Sequence, residues 1–132
     1  GTLSGLVEIA AERGDLARAL SMLAVVTELY ARIRYVAGLL DSLEVCATLV
    51  ERQGEAEAAA RLWGARQTLG GELGRESDHP LEVAAHDETV TRVRSALGDE
   101  AFERAWEAGC AMTLDEAVAF ALEQRVPVPD PT

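Results

Sequence analysis

The chain has 132 residues and a formal net charge of −11, and 48% of its residues are hydrophobic against 27% charged. This length and balance predict one folded domain with a sizeable core and exclude an intrinsically disordered chain. All 12 basic residues are arginine, and the acidic excess disfavours direct contact with nucleic acid because phosphate would be repelled.

Two helical patterns open the chain, one from Leu3 to about residue 13 and a longer one from Leu16 to about Arg34, with a break at Gly14. The longer pattern is apolar on two sides, so it must be covered from two sides. Its first face is Leu16, Ala19, Leu20, Leu23, Val26 and Tyr30, and its second is Ala24, Val25, Leu29 and Ile33. We expect later helices to cover one face and upstream protein the other, and we predict that the isolated chain forms a homodimer through its first helix pair, 3–34.

The stretch from Val36 to Leu69 predicts two helices joined at Gly54. Its inward positions are Val36, Leu39, Leu40, Leu43, Ala47 and Val50 before the glycine, and Ala56, Ala59, Ala60 and Trp63 after it. Shifting the sequence by 40 residues places Gly14 on Gly54, which indicates a repeated helix-turn-helix unit. Such units build tetratricopeptide-like repeats, whose usual period is about 34 residues.

Glycines and charged residues interrupt the helical pattern between Gly70 and His79, which predicts a loop. The next helix is expected from Pro80 to Gly98. Asp99 is then expected to cap a short helix that carries Trp106 on its apolar stripe and ends near residue 109.

A capping box marks the last helix: Thr113 and Glu116 have the spacing at which each side chain reaches the backbone N–H of the other. This predicts a terminal helix over 113–124. Three prolines in the last eight residues predict an extended tail over 125–132.

These patterns predict an all-α fold in which tetratricopeptide-like antiparallel helix pairs stack as a short right-handed solenoid of about seven helices. The predicted domain is 1–124, with helix pairs at about 3–34, 36–69 and 80–109. We expect Gly14, Gly54, Trp63, Trp106, Thr113 and Glu116 to have structural roles.

No catalytic constellation stands out in the sequence. Cys46 and Cys110 lie far apart among apolar residues, which predicts two small buried hydrophobic side chains. His79 and His86 lie near carboxylates, but their spacing places no pair of ligands on one helix face. We therefore predict neither a metal nor a cofactor, and no enzyme.

Tyr30, Trp63 and Trp106 allow two interpretations. All three fall on apolar stripes at helical spacing, which favours core packing. The alternative is a groove between helices that binds a small apolar effector, with these rings in its wall. The longest apolar run is far shorter than the ~20 residues of a membrane span, so we predict a cytoplasmic protein with no membrane partner.

Three motifs in the second half resemble the extreme C-terminal end of large bacterial signalling ATPases. They are Ala58 to Ala65, Ala96 to Gly109 and Met112 to Val118, in that order. The group comprises LuxR-type and SARP-type transcriptional regulators and related cyclase-linked proteins, in which a STAND-class NTPase precedes tetratricopeptide-like repeats. The resemblance spans about Leu43 to Leu122.

The resemblance implies a non-catalytic module that senses or binds partners for a multidomain bacterial regulator. It implies protein partners, either upstream domains of the same polypeptide or other proteins. No ATP-binding or DNA-binding motif of such regulators occurs in this chain. Effector binding in a groove remains the alternative function.

Overall fold

The structure is a computed structural model that describes residues 16–72 and 80–124. All regular structure in these two ranges is helical: α1 (Leu16–Ile33), α2 (Val36–Arg52), α3 (Ala56–Glu72), α4 (Pro80–Leu97), α5 (Asp99–Cys110) and α6 (Leu114–Glu123). The predicted all-α class is confirmed for the described residues, which contain six helices and no strand. The predicted first helix, Gly14 and the tail over 125–132 lie outside these ranges.

The turn between α2 and α3 is a Schellman motif centred on Gly54. Gly54 has φ +87°, and its N–H donates to the carbonyl of Glu51 at 3.0 Å. The N–H of Glu55 donates to the carbonyl of Val50 at 2.9 Å, which completes the motif. Arg34 occupies the equivalent position after α1 with φ +56°, a conformation that costs energy for any residue but glycine.

Two predictions about helix ends are wrong. The loop does not begin at Gly70, because α3 continues to Glu72 and Gly70 is buried within it. Packing at this position outweighs the low helix propensity of glycine. Asp99 does not cap α5, because Gly98 is the N-cap residue, and Asp99 is already in the first helical turn.

α3 lies at the centre of the described core and packs against α2, α4, α5 and α6. The predicted inward residues Ala59, Ala60 and Trp63 are buried. Leu62 and Ala65, which lie on other faces of the same helix, are buried as well. A helix with neighbours on several sides buries more than one stripe, and its alanines let those neighbours approach closely.

α6 packs against α1, α2 and α3, so the last described helix returns to the first three. The contact with α2 includes the Cys46 thiol, which donates to the Ala121 carbonyl at 3.7 Å. In an open solenoid each repeat contacts only its neighbours, so the contact of α6 with α1 differs from a simple linear stack. None of the helices within the described ranges combines the length and the apolar character that a bilayer crossing requires.

Candidate functional site

Two glycines let α3 and α5 approach at backbone distance. A β-carbon placed on Gly64 would lie 2.5 Å from the carbonyl oxygen of Trp106, and one placed on Gly109 would collide with the carbonyl of Arg61. Only glycine fits at either position unless the helices move apart. The sequence pattern alone does not reveal this role. A glycine inside a helix costs about 1 kcal/mol of helix stability relative to alanine, so a glycine at such a position is a signal of close packing.

An open cleft of about 460 Å3 lies between α3, α4 and α5. Its floor is apolar and consists of Val90, Phe102 and Trp106. The Phe102 and Trp106 rings are stacked at a tilt, with centroids 5.4 Å apart and planes at 31°. Polar residues surround this floor: Gln67, Asp87, Arg94, Glu103 and Glu107.

The rim of the cleft carries an excess of negative charge. Among the described residues that line the cleft Arg94 is the one cation, and its guanidinium carbon lies 4.8 Å from the Phe102 ring centroid. The Nε atom of Arg94 also lies 3.5 Å from a carboxylate oxygen of Asp99, which offsets its charge. Asp87, Glu103 and Glu107 are exposed, so the cleft favours a cationic group placed against an aromatic floor.

Of the three aromatic residues predicted for a ligand groove, Trp106 lines this cleft. Trp63 is buried in the core, with 5% of its surface exposed. Tyr30 packs between α1 and α2, because a β-carbon on Gly38 would lie 2.7 Å from its ring. The Tyr30 ring also meets Tyr35 edge to face, with centroids 5.3 Å apart. The three rings therefore belong to three different environments.

A second surface is an apolar stripe on α1, defined here as Val25, Leu29 and Ile33 with Tyr35 just beyond the helix. These side chains are 65%, 50%, 61% and 51% exposed, respectively. The spacing of four residues places the first three along one face of the helix. The second apolar face predicted from sequence is therefore present, except that Ala24 is buried in the core.

The two cysteines are free thiols in apolar surroundings. Burial raises the pKa of the Cys46 thiol from 9.0 to about 12, so it stays protonated at neutral pH. Cys110 is half-buried, and its thiol donates to the Gly64 carbonyl at 3.6 Å, across the α3–α5 crossing. The prediction of buried hydrophobic roles is confirmed for Cys46.

His79 lies outside the described residues, and His86 lies on α4. Among the side chains that the structure describes, no three from His, Cys, Asp or Glu group in a way that could hold a metal ion.

The capping box at the start of α6 has both of its hydrogen bonds. The N–H of Glu116 donates to the Thr113 hydroxyl at 3.2 Å, and the N–H of Thr113 donates to a Glu116 carboxylate oxygen at 3.0 Å. The box fixes where α6 begins and so directs it back across α1, α2 and α3.

Arg92 joins α4 to α2. Its Nε and one terminal nitrogen donate to the two carboxylate oxygens of Glu51 at 3.0 and 3.4 Å. This hydrogen bonding with the carboxylate raises the pKa of Arg92 above its ordinary value. The pair is solvent-exposed on the arginine side, so its contribution to stability is small.

Sequence comparison finds relatives that align with 88 residues of this chain. Proteins from two strains of Mycobacterium tuberculosis and one strain of Mycobacterium bovis are each 36% identical over that stretch. Each bears the name "Putative HTH-type transcriptional regulator". The match covers 67% of this chain and 10% of each relative, so the chain spans about a tenth of their length. No known protein-family profile matches the chain, and no solved structure matches it.

Proposed function

We propose that this chain is a non-catalytic sensor and protein-interaction module of a multidomain bacterial transcriptional regulator in the cytoplasm. The observation that carries the proposal is the 36% identity over 88 residues to proteins named as HTH-type transcriptional regulators. Because the matched stretch is 10% of each relative, the proposal places this chain beside other domains of a much longer polypeptide. The LuxR-type or SARP-type class, with a STAND NTPase upstream, belongs to the same proposal.

The proposal includes a tetratricopeptide-like arrangement of helix pairs. It is supported by the short left-handed turn at Gly54, which joins α2 and α3 as adjacent helices. The packing of α5 against α3 also supports it, because α5 extends the row of helices in which α2 packs against α3. Within this arrangement the domain is 1–124, followed by the tail over 125–132.

Surface chemistry supports an interaction role. The apolar stripe of α1 exposes four large side chains, and the cleft has an acidic rim around a floor in which Trp106 is half-buried and Phe102 is buried. Exposed apolar patches of this kind are typical of contacts with other proteins. The net charge of −11 opposes contact with nucleic acid, so we assign DNA binding to another part of the regulator.

Surface variants in the full-length regulator test this proposal. We expect Leu29→Glu on α1 and Trp106→Ala in the cleft each to change transcription from a reporter promoter by at least about threefold. The matched control is Ala119→Glu, which adds the same charge at an exposed position of α6 outside both surfaces. Promoter affinity, measured by fluorescence anisotropy, should stay within about twofold for all three variants.

Two results would overturn the proposal. Unchanged reporter output for both surface variants, at normal protein level, would remove the interaction role. Loss of promoter affinity in the surface variants but not in Ala119→Glu would place this module on the DNA instead.

A second candidate function is the binding of a small effector in the cleft, which its volume of about 460 Å3 favours. The acidic rim and aromatic floor select a cationic aromatic molecule, for which benzamidine is a simple probe. We expect saturable quenching of Trp106 fluorescence on titration and no saturable change in Trp106→Phe. A strictly linear response in the wild-type protein would exclude this site for such ligands.

A further inference from the structure

We infer that the apolar stripe of α1 is the contact surface for the helix that precedes α1 in the regulator, formed by residues 3–13 and their upstream continuation. The inference rests on the proposed function, which places this chain within a longer polypeptide. It names the partner of the stripe as a segment of that same polypeptide.

The 40-residue repeat relates α1 to α3. The shift that places Gly14 on Gly54 also places Leu16, the first residue of α1, on Ala56, the first residue of α3. The two helices are 18 and 17 residues long. Each position of α1 therefore has an equivalent on α3, and the neighbours of α3 indicate what each face of α1 contacts in a complete repeat.

The stripe has apolar equivalents on α3, and these are buried. Val25 corresponds to Ala65, and Leu29 corresponds to Leu69. The two α3 side chains are 0% and 5% exposed, whereas the two on α1 are 65% and 50% exposed. The same side of both helices is apolar, so α1 lacks a neighbour that α3 has among the described residues.

The helices packed on α3 indicate which neighbour this is. α3 packs against α2, which precedes it, and against α4, α5 and α6, whereas the main neighbours of α1 in the described residues are α2, which follows it, and α6. α1 therefore has no counterpart of the preceding helix and none of α5.

The approach of α5 cannot be repeated on α1. α5 reaches backbone distance because Gly64 has no β-carbon to meet the Trp106 carbonyl. The equivalent of Gly64 on α1 is Ala24, whose β-carbon excludes the same approach and which is already buried at 4% exposure. The preceding helix is the counterpart that remains.

The segment before α1 has the apolar residues that such a helix needs, and they correspond to buried residues of α2. In order, Leu3, Leu6 and Ile9 correspond to Leu43, Cys46 and Leu49. The three α2 side chains are at most 2% exposed. A turn at Gly14 would place this segment antiparallel to α1, as the turn at Gly54 places α2 against α3.

The length of α1 sets how far the covering helix extends. α1 has 18 residues and is roughly 27 Å long, whereas the 13 residues before Gly14 span at most roughly 20 Å as a helix. In an antiparallel pair, Leu29 and Ile33 then lie level with polypeptide upstream of Gly1. The covering helix therefore begins about five residues before Gly1 and brings apolar residues to the stripe.

Alkylation of a cysteine at position 29 tests whether the stripe is covered. Leu29→Cys would be made in the chain of residues 1–132 and in the full-length regulator, and its reaction with N-ethylmaleimide followed by peptide mass spectrometry. We expect the reaction to be at least about tenfold slower in the regulator, because it requires local opening of the covering helix. The matched control is Ala119→Cys, an exposed position of α6, whose rate should differ less than about twofold between the two proteins.

A cross-link in the regulator identifies the covering segment. A second cysteine is placed in turn at each of the four residues before Gly1, which together cover about one helical turn. Mild oxidation should join at least one of them to Leu29→Cys and none of them to Ala119→Cys.

Equal alkylation of Leu29→Cys in the chain and the regulator would overturn the inference. Slow alkylation without any of the four cross-links would overturn it as well, because another segment would then cover the stripe. The reporter experiment keeps the two claims separate. A cross-link together with unchanged reporter output leaves the stripe as an intramolecular contact and removes the interaction role.

Discussion

Replacement of Gly64 by alanine tests the crossing of α3 and α5, the most extensive helix–helix contact in the described residues. The new β-carbon would lie 2.5 Å from the Trp106 carbonyl oxygen and 3.2 and 3.3 Å from two backbone carbons of that residue. These are backbone atoms of a packed helix, so they cannot rotate away as the end of a flexible side chain can. Restoring ordinary contact distances requires the two helices to separate by about 1 Å.

A separation of that size loses a substantial part of the dispersion energy across the crossing. Overpacking of a core typically costs about 1–3 kcal/mol, and alanine regains at most about 1 kcal/mol through its higher helix propensity. We therefore expect Gly64→Ala to lower the free energy of unfolding by about 2 kcal/mol. For a chain of this size the melting temperature should fall by about 8 °C.

The assay is guanidinium and thermal denaturation followed by far-UV circular dichroism. The matched control is Gly71→Ala, the same substitution at an exposed position of the same helix, which should leave stability unchanged or raise it. Gly109→Ala should also destabilise, and the double variant should cost less than the sum of the two because both act on one crossing. A Gly64→Ala protein as stable as the Gly71→Ala control would refute the close approach of α3 and α5.

Gly54→Val should lower the free energy of unfolding by at least about 1 kcal/mol, because the left-handed conformation at φ +87° disfavours a β-branched residue. Arg34→Gly should raise the free energy of unfolding by up to about 1 kcal/mol, since glycine tolerates φ +56° without strain. Urea denaturation measures the change for both variants. The Cys46 thiol keeps its proton in the folded state up to a pKa of about 12, whereas an unfolded thiol ionises near 9.0. The contribution of the Cys46 thiol to the free energy of unfolding is therefore constant below pH 9 and falls by up to about 1.4 kcal/mol per pH unit above it. Cys46→Ala should abolish this pH dependence when unfolding is measured by denaturation across that pH range. Thr113→Ala should cost about 1 kcal/mol through loss of the capping box, whereas Thr91→Ala, an exposed threonine inside α4, should be neutral or stabilising in the same thermal melts.

The inward faces of α2 and α3 could be predicted because an amphipathic helix in a folded domain buries its apolar stripe. Leu43 and Trp63 are two such residues, and both are buried. The start of α6 was predictable for a different reason, because the capping box at Thr113 uses only bonds between residues three positions apart. Local chemistry and helical periodicity are properties that a sequence displays directly.

The α3–α5 crossing and the cleft could not be predicted in this way. What Gly64 does depends on which distant backbone approaches it, and no local pattern encodes that contact. The cleft takes its lining from three helices, and Arg94 covers Phe102 only because the turn at Gly98 sets α4 against α5. Of the three aromatic residues chosen for a groove, Trp106 alone lines it, since helical spacing shows that a ring faces inward but not which neighbour it meets.

The role of this chain as an interaction module is tested most directly by binding to the remainder of its regulator. The chain of residues 1–132 and the remaining polypeptide, produced separately, would be titrated against each other by isothermal calorimetry. We expect a saturable complex that Ala119→Glu retains, with no turnover of nucleotide by the chain itself. A correctly folded chain that fails to bind the remainder at any concentration, or that hydrolyses nucleotide alone, would contradict this expectation.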